Sequence, residues 1–190
     1  MKILLINGTI VGEKTKVLLN EVEKQLIEYI PSNQIEIIHL EDLKLEFADG
    51  RTKEQYNEDT HKLIDEIESA DGYIIASPIF QGSIPGVLKN VFDLISPKGM
   101  RYKPVSILAN GGTFQHHLVV ENQLKPILDY FKCLVTPNYV YAQTSHFSHT
   151  NELIDEDVAR RIQELARVFH QYLNMSRDLR EGHDDSIADY

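Results

Sequence analysis

Apolar positions in this chain come in two rhythms: short unbroken runs, and longer stretches with an apolar residue every three or four positions. Ile3-Leu4-Leu5-Ile6, closed by Asn7-Gly8, is of the first kind and suits a central parallel strand covered on both faces. From Lys14 the second rhythm takes over: Val17, Leu18, Val22, Leu26 and Tyr29-Ile30 share a helical stripe until Pro31-Ser32-Asn33. Ile35, Ile37, Ile38 and Leu40 form a second strand. Residues 41–60 are irregular and charged, with Leu43, Leu45 and Phe47 alternating like a short extended piece. A second helix carries His61, Ile64 and Ile67. A third strand, Asp71-Gly72-Tyr73-Ile74-Ile75-Ala76, ends near Ser77. The next helix starts near Ser83, placed to N-cap it with Pro85 in the first turn, and continues through Ile84, Val87, Leu88, Val91 and Leu94-Ile95. Val105-Ser106-Ile107-Leu108-Ala109 is the fourth strand. Residues 114–131 read as a helix kinked at Pro126. Leu134-Val135 and Tyr139-Val140-Tyr141 frame a fifth strand interrupted by Pro137-Asn138. A last helix spans 151–175, with Val158, Ile162, Leu165, Val168-Phe169 and Tyr172 in phase.

Strand followed by helix, five times, predicts an α/β fold: a parallel sheet with helices on both faces and right-handed crossovers. The 190 residues suffice for a single domain, read here as 1–176. Residues 177–190 hold five acidic and two basic side chains and read as a flexible acidic tail. A net charge of −10 disfavours nucleic acid and anionic membranes as partners. Cys133 stands alone, so no internal disulfide forms, in keeping with a reducing compartment. The apolar start is too short for a signal peptide and no run reaches membrane-spanning length, so a cytoplasmic location is expected.

The third strand runs into Pro78-Ile79-Phe80-Gln81-Gly82-Ser83-Ile84-Pro85-Gly86-Val87-Leu88-Lys89-Asn90, followed by Asp93. This stretch resembles the signature of the NADPH-dependent FMN reductases, a flavodoxin-like group that includes azoreductases and quinone reductases. The usual form there is Pro-x-Tyr-x-x-Ser-x-Pro-x-x-Leu-Lys-Asn-x-x-Asp; Phe80 replaces the Tyr. The resemblance implies a doubly wound sheet in the order 2-1-3-4-5, with a ligand crevice between strands one and three. It also implies FMN as cofactor, NADPH or NADH as co-substrate, a small-molecule electron acceptor, and a homodimer or dimer of dimers.

Three strand-exit loops are then the candidate cofactor site. The first supplies Gly8, Thr9, Lys14, Thr15 and Lys16 at a helix N-terminus, the materials of an anion site. Related proteins carry Ser and Arg here; Thr9 fits the Ser, whereas Val11 stands where Arg is frequent, leaving the cation to Lys14 or Lys16, or the polar contact to Thr15. In the second, Pro78, Ile79, Phe80, Gln81, Gly82 and Ser83 are expected along the isoalloxazine ring. Gly111, Gly112 and Thr113 form the third, expected at its pyrimidine edge. The first loop is a near miss for a nucleotide-triphosphate loop: Gly8 and Lys14-Thr15 are correctly spaced, but Glu13 replaces the Gly whose amide would cradle phosphate.

A flavin carries its own hydride chemistry, so no catalytic side chain is expected. Cys133 reads as a small core residue, adjacent His116-His117 cannot readily chelate one ion, and His146 with His149 lacks a third ligand, so no metal is expected. The resemblance implies that the loop after strand five lies near the flavin or the neighbouring subunit, which makes Tyr141, Gln143, Thr144 and His146 candidate substrate contacts; Lys89 and Asp93 can pair across one helical turn. The alternative reading is a flavodoxin-like FMN electron carrier without NAD(P)H activity of its own. A response-regulator receiver would need acidic residues where Asn7-Gly8 and Ser77-Pro78 stand.

Overall fold

In the computed structural model, which describes residues 1–181, the apolar runs become parallel strands stacked edge to edge. The strands are β1 (Ile3–Asn7), β2 (Ile35–His39), β3 (Gly72–Pro78), β4 (Pro104–Gly111), β5 (Leu134–Val135) and β6 (Val140–Gln143). Helices α1 (Lys14–Leu26), α2 (Glu58–Ser69), α3 (Gly86–Leu94), α4 (Lys125–Tyr130) and α5 (Glu156–Glu181) cover both faces. The sheet order is β2-β1-β3-β4-β5, with β6 also paired to β4. β5 meets Pro104 and Val105, and β6 meets Leu108 to Gly111, so both lie along one side of β4 as two pieces of an interrupted fifth strand. Pro137, between them, has no N–H to donate. Buried Thr136 instead shares a 2.8 Å hydrogen bond with Ser106 of β4.

Alternation assigns the two faces. Leu4, Ile6, Tyr73, Ile75, Val105 and Ile107 pack with α2, α3 and α4. Ile3, Leu5, Ile74, Ala76, Leu108 and Val140 pack with α1 and α5. Central strands are buried on both sides and therefore read as continuous apolar runs.

Several expectations are corrected. α3 begins at Gly86 with Pro85 as its N-cap, so Ser83 does not cap it; the Ser83 hydroxyl donates to Gln123 Oε1 at 2.6 Å. Residues 114–131 are not one kinked helix. They form a 3-10 turn (Phe114–His117), a π turn (Val120–Leu124) and then α4. Pro126 offers no amide, and the wider turn immediately before it absorbs the missing bond. The buried stripe of α2 is Thr60, Leu63, Ile64 and Ile67, while His61 sits at its rim, 3.3 Å from Asp65. No strand forms around Leu43, Leu45 and Phe47, and Phe47 is exposed. Side chains hold that loop: Asn90 Oδ1 accepts the Ala48 N–H and Asn90 Nδ2 donates to the Glu46 carbonyl, both at 2.9 Å. Finally, α5 continues to Glu181, five residues past the expected tail boundary. Ser176 donates to the Tyr102 carbonyl, and Arg180 grips Asp71 at 3.1 Å through two nitrogens, which gives the helix a reason to continue. The rest of the expected tail, 182–190, lies outside the described residues.

Candidate active site

The C-terminal ends of β1, β3 and β4 bring the three predicted loops to one edge of the sheet, where open α/β sheets bind ligands. Hydrogen bonds stitch them together. Gly8 N–H donates to the Ala76 carbonyl of β3 at 2.8 Å. A Cβ on Gly8 would come within 2.8 Å of that same oxygen, so this position admits only glycine without a backbone shift. Asn110, unmarked in the sequence reading, is the hub: its side-chain oxygen accepts from Thr15 Oγ1 at 2.9 Å, and its carbonyl accepts the Ile79 N–H at 2.9 Å.

Within the second loop, Phe80 and Ser83 exchange two 2.9 Å backbone hydrogen bonds. The residues between them, Gln81 and Gly82, have φ of 49° and 73°. Two successive positive values define a type I′ hairpin turn, which requires glycine or a tolerant residue at each position. The N–H groups of Gln81 and Gly82 have no partner among the described residues. Gln123, from the π turn, clamps the loop through the Ser83 hydroxyl and the Gly82 carbonyl. Phe80 stands half-exposed beside this turn while Ile79 is buried.

The third loop is shaped by what lies under it. A Cβ at Gly111 would sit 2.5 Å from the Tyr141 hydroxyl and 3.1 Å from His116 Nδ1; Gly112 has open space above it. The Tyr141 hydroxyl donates to the Thr113 carbonyl at 2.6 Å. Tyr141 is thus a buried brace with only an indirect route to substrate. Gln143 N–H donates to His146 Nδ1 at 3.2 Å, a local turn, and Thr144 opens the short 3-10 turn that contains it. Among the described residues no group of three or more His, Cys, Asp or Glu side chains is arranged to hold a metal ion. Cys133 is half-buried; burial pushes its thiol up to about 12, and its Sγ contacts the Met100 carbonyl.

The phosphate-loop candidates separate. Thr9 is buried and turned inward, bonding the Val11 carbonyl and N–H. Thr15 is occupied by Asn110. Lys16 lies between Glu41 at 2.8 Å and Glu13 at 3.3 Å, and those carboxylates raise its pKa. That leaves Lys14, whose Nζ rests 5.8 Å from the centroid of the Phe147 ring and has no carboxylate partner among the described residues. An unpaired cation at a helix N-terminus, beside N–H groups unused by the helix, suits a phosphate. Open N–H groups at Gln81-Gly82 and a floor where Cβ atoms are excluded suit the edge of a planar heterocycle, so the residues present fit a flavin phosphate.

Fold and site therefore define a flavodoxin-like ligand-binding α/β protein. The sequence profile of the family described as NADPH-dependent FMN reductase matches residues 1–147. An NAD(P)H-dependent FAD/FMN reductase of Geobacillus thermodenitrificans is 49% identical over 176 residues, which cover 92% of this chain and 95% of that one. An FMN reductase (NADPH) of Pseudomonas aeruginosa is 34% identical over 155 residues, 82% of each chain. Among solved structures, an apo NADH:FMN oxidoreductase (EMOB) superposes with a TM-score of 0.72 at 25% identity, covering 90% of this chain and 88% of the other. An oxidoreductase from Corynebacterium diphtheriae reaches a TM-score of 0.77 at 20% identity, covering 92% and 98%, a likeness of fold. The chain belongs to the NADPH-dependent FMN reductase family, oxidoreductases that use FMN with a reduced nicotinamide.

Proposed function

We propose that this protein oxidises NADPH or NADH and passes the electrons through FMN to a small-molecule acceptor: a quinone, an azo compound, a metal ion or free flavin. FMN, when bound, supplies hydride acceptance at its N5 position and electron release to the acceptor. One observation carries the reading. The loops after β1, β3 and β4 are locked together through Asn110 around the unpartnered N–H groups of Gln81 and Gly82. In this assignment the 78–83 loop lies along the ring and the Gly111-Gly112-Thr113 turn takes its polar edge. Lys14 and the first turn of α1 take the phosphate, while Thr9, Thr15 and Gly8 shape that turn. Donor and acceptor use the site in succession, which gives ping-pong kinetics.

The partner surface falls to the groove of about 590 Å³ between α3 and α4, where Phe92 and Ile127 lie beside exposed Tyr130, and a homodimer formed there is part of the proposal. No helix among the described residues is long and apolar enough to cross a membrane; the cytoplasmic location is likewise proposed.

The test is a visible spectrum of FMN-reconstituted protein during anaerobic addition of NADPH and then NADH. Bleaching of bound flavin is expected and identifies the donor. Bound but unbleached flavin refutes the reductase activity and makes the protein an electron carrier. Protein that binds no flavin at micromolar concentration removes the proposal altogether.

A further inference from the structure

Beside the third loop lies a cavity of about 530 Å³, walled by Phe114 and His117 after β4, Tyr139 and Tyr141 around β6, and Arg161 and Glu164 of α5. It adjoins the candidate flavin site, because Phe114 follows Thr113 directly and Tyr141 braces the Thr113 carbonyl. Its size is that of a pocket for a small organic molecule.

The walls are aromatic. The Phe114 and His117 rings lie 4.4 Å apart between centroids, and His117 and Tyr141 6.3 Å apart. Phe114 keeps 60% of its surface exposed, although a ring of that size normally seeks cover. The Tyr139 and Tyr141 phenols are uncharged at neutral pH, as tyrosine ordinarily is, and burial pushes both further up, to about 12.

One wall carries a cation. Arg161 donates to the Tyr139 carbonyl at 3.2 Å and has no carboxylate within ion-pairing distance among the described residues. Of the four other arginines of α5, three are paired with carboxylates, Arg160 with Asp157, Arg167 with Glu164 and Arg180 with Asp71, while Arg177 donates to Asn174 Oδ1 at 3.3 Å and does not line the cavity. Glu164 lines the cavity too, but Arg167 holds both its oxygens, at 2.7 and 2.8 Å, which offsets its charge. In a chain with a net charge of −10, a guanidinium left unpaired over an aromatic pocket points to an anionic ligand.

We propose that this cavity binds planar aromatic anions, with Arg161 gripping a sulfonate or carboxylate and Phe114 and His117 packing on the ring, and that such compounds are the electron acceptors. The acceptor role rests on the oxidoreductase reading above; binding does not. For a quinone the balance is NAD(P)H plus one proton plus quinone giving NAD(P)⁺ plus hydroquinone. The nicotinamide loses two electrons and a proton as hydride, and solvent supplies the second proton.

The test is calorimetric titration of purified protein with anthraquinone monosulfonate and, as the uncharged control, hydroxymethylanthraquinone. Wild-type protein is expected to bind the sulfonate at least tenfold more tightly. Arg161→Gln should weaken the sulfonate about tenfold and leave the neutral ring unchanged, the loss of one charge-assisted contact, and Arg161→Lys should restore part of it. Phe114→Ala, at an exposed position that folding tolerates, should weaken both. Equal affinity of wild type and Arg161→Gln for the sulfonate overturns the proposal. So does a rise in KM for NADPH but not NADH with sulfonate affinity intact, since Arg161 would then read the nucleotide phosphate. Sulfonate binding that depends on Arg161 in a protein whose flavin NAD(P)H does not bleach supports the site and refutes the reductase reading.

Discussion

Gly111→Ala is the sharpest perturbation of this site. The new methyl would sit 2.5 Å from the Tyr141 hydroxyl, about an ångström inside ordinary contact, and 3.1 Å from His116 Nδ1. Tyr141 is buried at 4% exposure and cannot swing into solvent. To make room it must give up the 2.6 Å bond to the Thr113 carbonyl. That bond contributes about 1 kcal/mol, and forcing a methyl into a packed core costs roughly 1–3 kcal/mol more. The expected destabilisation is about 2–4 kcal/mol, a fall in Tm of roughly 5–15 °C for a chain of this length. Two controls isolate the cause. Gly112→Ala, with nothing within 4 Å of its new methyl, should leave stability unchanged. In a Tyr141→Phe background the obstructing oxygen is absent, so adding Gly111→Ala should cost less than about 1 kcal/mol. The double-mutant cycle in urea should therefore return a coupling of at least about 1 kcal/mol. A neutral Gly111→Ala, or additive costs for the two changes, would refute the steric account of this turn.

Two further outcomes follow from the charges. Lys14→Ala should lower FMN affinity about 10–100-fold and leave riboflavin, which lacks the phosphate, unaffected; Lys16→Ala, at a head already held by Glu13 and Glu41, should change FMN affinity less than threefold, and the reverse ranking in a fluorescence titration would move the phosphate contact to Lys16. At the opposite end of the sheet, burial lowers Lys103 to about 8, and its Nζ donates to the Glu68 carbonyl at 2.6 Å. The unfolded chain keeps that proton up to the ordinary value of 10.5. Between pH 8 and 10 the unfolded state therefore binds more protons, and stability should rise with pH by up to about 2–3 kcal/mol. Lys103→Met should flatten that rise in denaturant titrations, and an unchanged slope would show that the amine is solvated in the folded state.

Much of the fold was written in local pattern. Strand runs such as Ile3-Leu4-Leu5-Ile6 have one plausible fate in a chain that alternates them with helical stripes, and the observed sheet order agrees with the order that the loop signature implied. What local pattern misjudged shares a physical cause. Ser83 carries a capping side chain just ahead of a helical stripe, but α3 begins only at Gly86, and the I′ turn at Gln81-Gly82 aims the Ser83 hydroxyl at Gln123, forty residues away in sequence. Thr9, Thr15 and Lys16 have the chemistry of phosphate ligands, yet Val11, Asn110 and Glu41 claim them first. Asn90, part of the loop signature, serves as the peg for the 46–48 loop.

By itself, then, the sequence determined the class of fold and the loops that meet at the sheet edge, because periodicity and glycine placement are properties of neighbouring residues, and the signature from Pro78 to Asp93 pointed to the family by resemblance. Only the tertiary structure decided which polar groups are spent on one another and which, among the described residues, are left without a carboxylate, as Lys14 and Arg161 are, or without a hydrogen-bond acceptor, as the N–H groups of Gln81 and Gly82 are. Hydrogen bonds and ion pairs between distant segments form once the sheet is assembled, and no local pattern records who will be whose partner.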